Sequence, residues 1–211
     1  MAKFDQNRHT IAHVFHYAYK RKIGLLGGSF NPAHAGHIAL SQAVKKHAQC
    51  DEIWWLVSPQ NPLKSKKDMA DYQTRLHYAR TLVKRYRFIK VLGLEAQLNI
   101  SYSYDIMRIL KRCAPQASFA WIMGTDNLVQ LPLWYRAKEM TSLMPFIVVR
   151  RDQSFYQALA SKGHSYFRQS SNNSLPSLCI MRQFHDHHSA TKLRAQGFWH
   201  RQAAAAIARS D

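Results

Sequence analysis

The chain has 211 residues, 46% of them apolar, which suits one domain with a substantial core and at most a small appendage. No stretch approaches the ~18 consecutive apolar residues of a membrane span, and residues 1 to 21 are polar and lack the apolar block of a secretory signal, so a cytoplasmic protein is expected. Lys and Arg outnumber Asp and Glu 30 to 12, a net charge of +18 that favours polyanionic ligands, but no basic cluster shows the interleaved aromatics of an RNA-binding signature and no specific nucleic-acid partner is expected.

Residues 1–20 read as an N-terminal extension ahead of a domain over 21–211. In it Ile11, Val14, Phe15 and Ala18 fall at helical spacing. The plain role of such a segment is packing on the domain or on a second copy of the chain in a homo-oligomer. From Lys22 onward apolar runs alternate with helix-like stretches. Strands are expected at Lys22–Leu26, Ile53–Val57, Phe88–Leu92, Ser118–Met123 and Pro145–Val149, with a short one at Leu178–Met181. Helices are expected within 38–44, 72–85, 104–113, 189–196 and 199–209, and a polar surface connection over 161–177. Strictly alternating strands and helices predict an α/β protein, a doubly wound parallel sheet of Rossmann-like form with ligands at the carboxyl edge of its strands. The three cysteines, Cys50, Cys113 and Cys179, are far apart in sequence and form no zinc motif; they read as reduced, mostly buried thiols.

The most informative segment is Gly27-Gly28-Ser29-Phe30-Asn31-Pro32-Ala33-His34-Ala35-Gly36-His37, at a strand-to-helix turn. Gly27 and Gly28 let a ligand approach the backbone closely, and such turns bind phosphates on N–H groups at a helix start. His34 and His37, three apart on the first helical turn, share a face and suit charge stabilisation in phosphoryl or nucleotidyl transfer. The segment is neither a Walker A loop nor a GxGxxG turn.

Other candidate groups also follow strands. Lys64, in the proline-stiffened Ser58–Lys64 loop, is either a phosphate-reaching cation or a solvated lysine. Ser103 is placed to cap the next helix, with Asp105 in its first turn and free N–H groups able to hold a carboxylate. Gly124 permits close approach, Asp126 either takes ribose hydroxyls or caps a helix, and Trp134 either stacks on a flat ring or joins the core. Ser189, Thr191 and Arg194 combine hydroxyls, a helix start and a guanidinium in a second anion cradle. The run His185-Asp186-His187-His188 points its side chains in alternating directions and is not expected to hold a metal.

The first segment resembles the GxFxPxHxGH signature of the nucleotidyltransferase superfamily. In order, GGSFNPAHAGH, SPQNPLK, SYSYD, WIMGTDNLVQLPLW and HSATKLR are similar to the successive blocks of bacterial nicotinate-nucleotide adenylyltransferases, over roughly residues 22 to 200. The resemblance implies adenylyl transfer from ATP to nicotinate mononucleotide, giving nicotinate adenine dinucleotide and pyrophosphate. It implies ATP phosphates at His34 and His37, with ATP also at Gly27, Gly28 and Phe30. Ser29 and Lys64 would lie near the mononucleotide phosphate. The amides of Ser103 and Tyr104 would hold the pyridine carboxylate, and Trp134 would stack on the pyridine ring. Gly124 and Asp126 fall in the adenosine block, while Ser189, Thr191 and Arg194 match the β- and γ-phosphate block. Mg²⁺ is expected as a cofactor held mainly by ATP phosphates, with no protein metal ligands. The chain departs from the family at Asn31, where many members carry Asp, and at Ala190, where Ser is common. The closest rival is a sister adenylyl- or cytidylyltransferase such as the pantetheine-phosphate enzyme, which would share the first block; the Trp134 region and the SYSYD segment argue against it.

Overall fold

The computed structural model describes residues 11–59, 69–150, 155–167, 177–181, 190–195 and 197–199. In chain order the elements are α1 (Ile11–Tyr17), β1 (Lys22–Gly28), α2 (Ala35–His47), β2 (Glu52–Val57), α3 (Tyr72–Leu82), β3 (Ile89–Leu92), α4 (Leu94–Gln97) and α5 (Ser103–Cys113). They continue with β4 (Ser118–Gly124), α6 (Thr125–Gln130), a 3₁₀ turn (Leu131–Leu133), α7 (Ala137–Leu143), β5 (Phe146–Val149), α8 (Phe155–Ala160), α9 (Lys162–Ser165), β6 (Leu178–Met181) and α10 (Ala190–Ala195).

The strands form one six-stranded sheet in the order β3-β2-β1-β4-β5-β6, and every pairing is parallel. The chain winds outward from β1 to β3, then returns to β1's other side at β4. Between β1 and β4 the winding reverses, and the loops above their carboxyl ends part there to leave a crevice.

Both faces of the sheet are covered, which is why its strands read as unbroken apolar runs. Successive residues alternate faces. Leu25, Trp54 and Trp121 pack with Ile106, Met107 and Leu110 of α5 and Met140 of α7. Leu26, Trp55 and Ile122 pack with Ile38, Leu40 and Val44 of α2 and with Leu76 and Ala79 of α3. The three tryptophans Trp54, Trp55 and Trp121 are almost wholly buried; burying a large apolar side chain is worth roughly 1.5–3 kcal/mol.

Helix α1 packs on the domain, with Val14 and Ala18 sealed in the core. Below it Glu52 is a buried carboxylate that accepts from the Tyr17 hydroxyl at 2.6 Å and from Trp54 Nε1 at 3.0 Å. Arg21 and Lys90 approach it at 3.5 and 3.8 Å. Burial first, then the bond to Glu52, pushes the Tyr17 phenol up to about 12.

Three expectations need correction. Only Cys50 is buried, while Cys113 and Cys179 are exposed. The connection expected over 161–177 holds a short helix, α9, whose N-terminus is capped by Ser161 accepting from the His164 amide at 3.2 Å. Ser103 does not cap α5: Tyr102 occupies that position, and Ser103 is the first helical residue. Of the helix expected over 199–209, only Trp199 is among the described residues.

Candidate active site

A pocket opens at the carboxyl edge of the sheet, above the reversal between β1 and β4. Gly27, Gly28 and Ser29 of β1 and its turn line it, with Trp121 of β4 beside them. A Cβ on Gly27 would come within 2.7 Å of the Trp121 ring, so only glycine lets this strand end pass over the indole. Ser58, from the end of β2, and Glu95, from α4, line the same space. Ser101, Tyr102 and Ser103 bring in the start of α5; Asn127 and Gln130 come from α6, and Leu133, Trp134 and Tyr135 from the turn that follows.

The two histidines stand at the start of α2, next to this pocket along the chain. His34 is the N-cap residue, in extended backbone, and His37 is the third helical residue. The His34 amide donates to His37 Nδ1 at 3.2 Å, while the His37 amide donates to the His34 carbonyl at 2.9 Å. A nitrogen that accepts carries no proton, so the neutral His37 ring holds its proton on Nε2 and presents it as a donor. The two ring centroids are 3.9 Å apart. His34 is buried and His37 half-buried, at the positive end of a 13-residue helix.

Phe30, expected at the ATP site, places its ring beneath His37. Its ring is 2% exposed, stacks on Trp55 at 4.9 Å and touches His37 at 4.9 Å. It supports the His37 ring, and its own ring is shielded from a ligand.

Helix α5 begins without any side-chain cap. By contrast, Asp71 caps α3 by accepting from the Thr74 amide at 3.0 Å. The uncapped start of α5 faces the pocket through Ser103, and its first amides suit an anion. Tyr104 is buried, its ring in the core; its amide is the part suited to a ligand. Trp134 is half-buried and lines the pocket.

Gly124 and Asp126 do not line this pocket. Gly124 is the N-cap residue of α6, and Asp126 sits in that helix's first turn. Arg194 reaches back from α10 to the first segment, where its guanidinium donates to the Asn31 carbonyl at 2.7 Å. Thr191 belongs to α10. Lys64, Ser189 and the run 185–188 lie outside the described residues.

Two important residues gave no usable signal in the sequence. Arg75 of α3 is 1% exposed. Its guanidinium donates to the carbonyls of Ser29, Ser58 (2.9 Å), Pro59 (2.7 Å) and Ala70 (2.9 Å). One side chain thereby joins the loops after β1 and β2 to the segment entering α3. Glu95 is 4% exposed. Burial pushes its carboxyl up to about 7, against the smaller opposing effect of a hydrogen bond with Ser58. In sequence both read as ordinary polar residues of helix surfaces.

The cytidylyltransferase-like family model matches residues 25–196. A protein of Parvibaculum lavamentivorans named a probable nicotinate-nucleotide adenylyltransferase is 37% identical over 84% of this chain and 93% of its own length. One of the same name from Erythrobacter litoralis is 39% identical over 82% of this chain and 83% of its own. Among solved structures, the Plasmodium falciparum nicotinic acid mononucleotide adenylyltransferase complexed with NaAD matches with a TM-score of 0.66 at 17% identity, covering 83% of both chains. The same enzyme complexed with APC matches with a TM-score of 0.64 at 16% identity. These structural matches establish the fold. The family model spans most of the sequence and the sequence relatives align along most of theirs, so the chain belongs to the nicotinate-nucleotide adenylyltransferase family of cytidylyltransferase-like proteins.

Proposed function

We infer that this chain is an enzyme of NAD biosynthesis that transfers the adenylyl group of ATP to nicotinate mononucleotide, releasing nicotinate adenine dinucleotide and pyrophosphate. The observation that carries this reading is one pocket in which a glycine strand end, the uncapped start of α5 and Trp134 converge, with the His34–His37 pair a few residues further along the chain at the start of α2. Free amides at the start of α5 match a pyridine carboxylate, and Trp134 supplies a flat surface for the ring. The family relatives that span most of this chain carry the same activity in their names.

The mononucleotide phosphate is already ionised near neutral pH and needs no general base. One of its oxygens attacks the α-phosphorus of ATP in line. The bond from that phosphorus to the bridging oxygen breaks, and pyrophosphate leaves with the electron pair. The protein's tasks are positioning and charge stabilisation. His37 donates from Nε2 to the α-phosphate, steadied by His34 at its side and by Phe30 beneath. Gly27, Gly28 and Ser29 bring backbone to the reacting phosphates. Lys64 serves the mononucleotide phosphate, and Gly124 and Asp126 serve the adenosine. Ser189, Thr191 and Arg194 hold the departing pyrophosphate. Mg²⁺ bound with ATP would be carried mainly by the phosphates and would supply positive charge against the leaving pyrophosphate. Among the described residues no group of three or more His, Cys, Asp or Glu comes together in a way that could hold a metal ion. The reading puts the chain in the cytoplasm; no helix among the described residues is long and apolar enough to cross a membrane.

The test is pyrophosphate release from ATP and Mg²⁺ with a panel of acceptors. Release with nicotinate mononucleotide is expected. Release with a pantetheine phosphate alone, or with no acceptor, overturns the reading.

A further inference from the structure

The structure assigns Trp199 as a positioning residue that seats the pyrophosphate-binding helix on the ATP loop through Asn31. The assignment rests on the functional reading above and adds to it a residue beyond the last matched block.

Helix α10 has six residues. A helix this short is far below the length that is stable alone in water, so tertiary contacts set its direction. The described contacts converge on one residue of the first segment. Arg194, within α10, donates to the Asn31 carbonyl at 2.7 Å. Trp199, just past it, donates from its indole Nε1 to Asn31 Oδ1 at 2.8 Å. Phe198 and Trp199 also pack edge-on against Tyr78 of α3, with centroids 5.2 and 5.7 Å away.

Asn31 is 5% exposed. Its Oδ1 accepts a second bond, from the Ala70 amide at 3.2 Å. One amide side chain therefore joins the turn before His34, the segment entering α3 and the C-terminal segment that carries Arg194. An indole N–H only donates. Removing it leaves the Tyr78 packing in place but deletes one of the two hydrogen bonds that tie this segment to Asn31, and so loosens how α10 stands against the first segment. The group that suffers is Arg194, whose guanidinium must meet the phosphates leaving from the histidine side. Adenylyl transfer depends on such placement, and small errors remote from the reacting atoms are costly.

The test compares wild type, Trp199→Phe, Asn31→Ala and the double variant. Trp199→Phe keeps an aromatic ring against Tyr78 and removes only the donor. The expected result is a rise of about 3- to 10-fold in the Kd for pyrophosphate and in KM for ATP, the range of one neutral hydrogen bond. The KM for nicotinate mononucleotide should stay within about twofold of wild type, since that subsite lies at the start of α5. The double variant should be no worse than Asn31→Ala, because both changes break one shared bond. A Trp199→Phe enzyme with a lower Tm but unchanged pyrophosphate Kd and KM for ATP overturns the assignment, as do additive effects in the cycle. If wild type releases no pyrophosphate with the mononucleotide, the functional reading fails, and the pyrophosphate titration alone decides the role of Trp199.

Discussion

Replacing Glu95 with Gln should stabilise the protein at alkaline pH and do little in acid. The Glu95 carboxyl is 4% exposed and is pushed from its ordinary 4.5 to about 7, chiefly by burial. A raised carboxyl means that the folded state disfavours the ionised form. The unfolded chain releases this proton near pH 4.5, the folded one near 7, so stability is lost as pH rises between those values and the full cost stands above 7. A shift of roughly 2.5 units at 1.36 kcal/mol each makes that cost about 3 kcal/mol. Glutamine keeps the shape and an oxygen for the Ser58 hydroxyl, and it never ionises. Glu95→Gln should therefore be more stable than wild type by about 3 kcal/mol at pH 8, and by only a few tenths at pH 4.5. For a chain of this size that is a Tm gain of roughly 6–12 °C at pH 8. Thermal and urea unfolding of both proteins across that pH range is the assay. A variant whose offset from wild type is the same at both ends of the range refutes the reasoning.

Further outcomes follow from the same geometry. His37→Ala should lower turnover by ~10²-fold or more, the scale of losing one oriented donor to developing charge; steady-state pyrophosphate release checks it, and near-normal turnover in a folded variant removes the role. Arg75→Met should destabilise the fold by about 3 kcal/mol or more, because four carbonyls from three segments lose their shared buried donor together. Urea midpoints measure that cost, and an unchanged midpoint would mean the loops hold themselves. Nicotinate mononucleotide should be preferred over the nicotinamide form, since the amides at the start of α5 suit a carboxylate better than an NH₂ group. Equal kcat/KM for both acceptors contradicts that assignment.

The strands were legible because both sheet faces are buried. Runs such as Ile53–Val57 and Phe146–Val149 contain no polar residue to blur them, and β6 spans the same residues as the run that foretold it. The turn ahead of His34 was legible because glycine and histidine chemistry is local. What stayed hidden depends on distant partners. Arg75 looks like any arginine on a helix until the loops after β1 and β2 fold over it. Glu95 belongs to a four-residue helix, too short for periodicity to reveal, and its partner Ser58 is distant in sequence. The start of α5 was misplaced by one residue because serine is a strong capping type and tyrosine is not, yet Tyr102 holds that position. The motif marks Phe30 as part of the ATP loop but does not show where its ring goes; that is set by Trp55, which is distant in sequence.

The most direct measurement is a crystal structure with Mg²⁺ and a non-hydrolysable ATP analogue. The expected result is a triphosphate over the start of α2, with a phosphate oxygen about 2.7–3.2 Å from His37 Nε2. A triphosphate seated elsewhere, with both imidazoles still packed together and no phosphorus near them, contradicts the account.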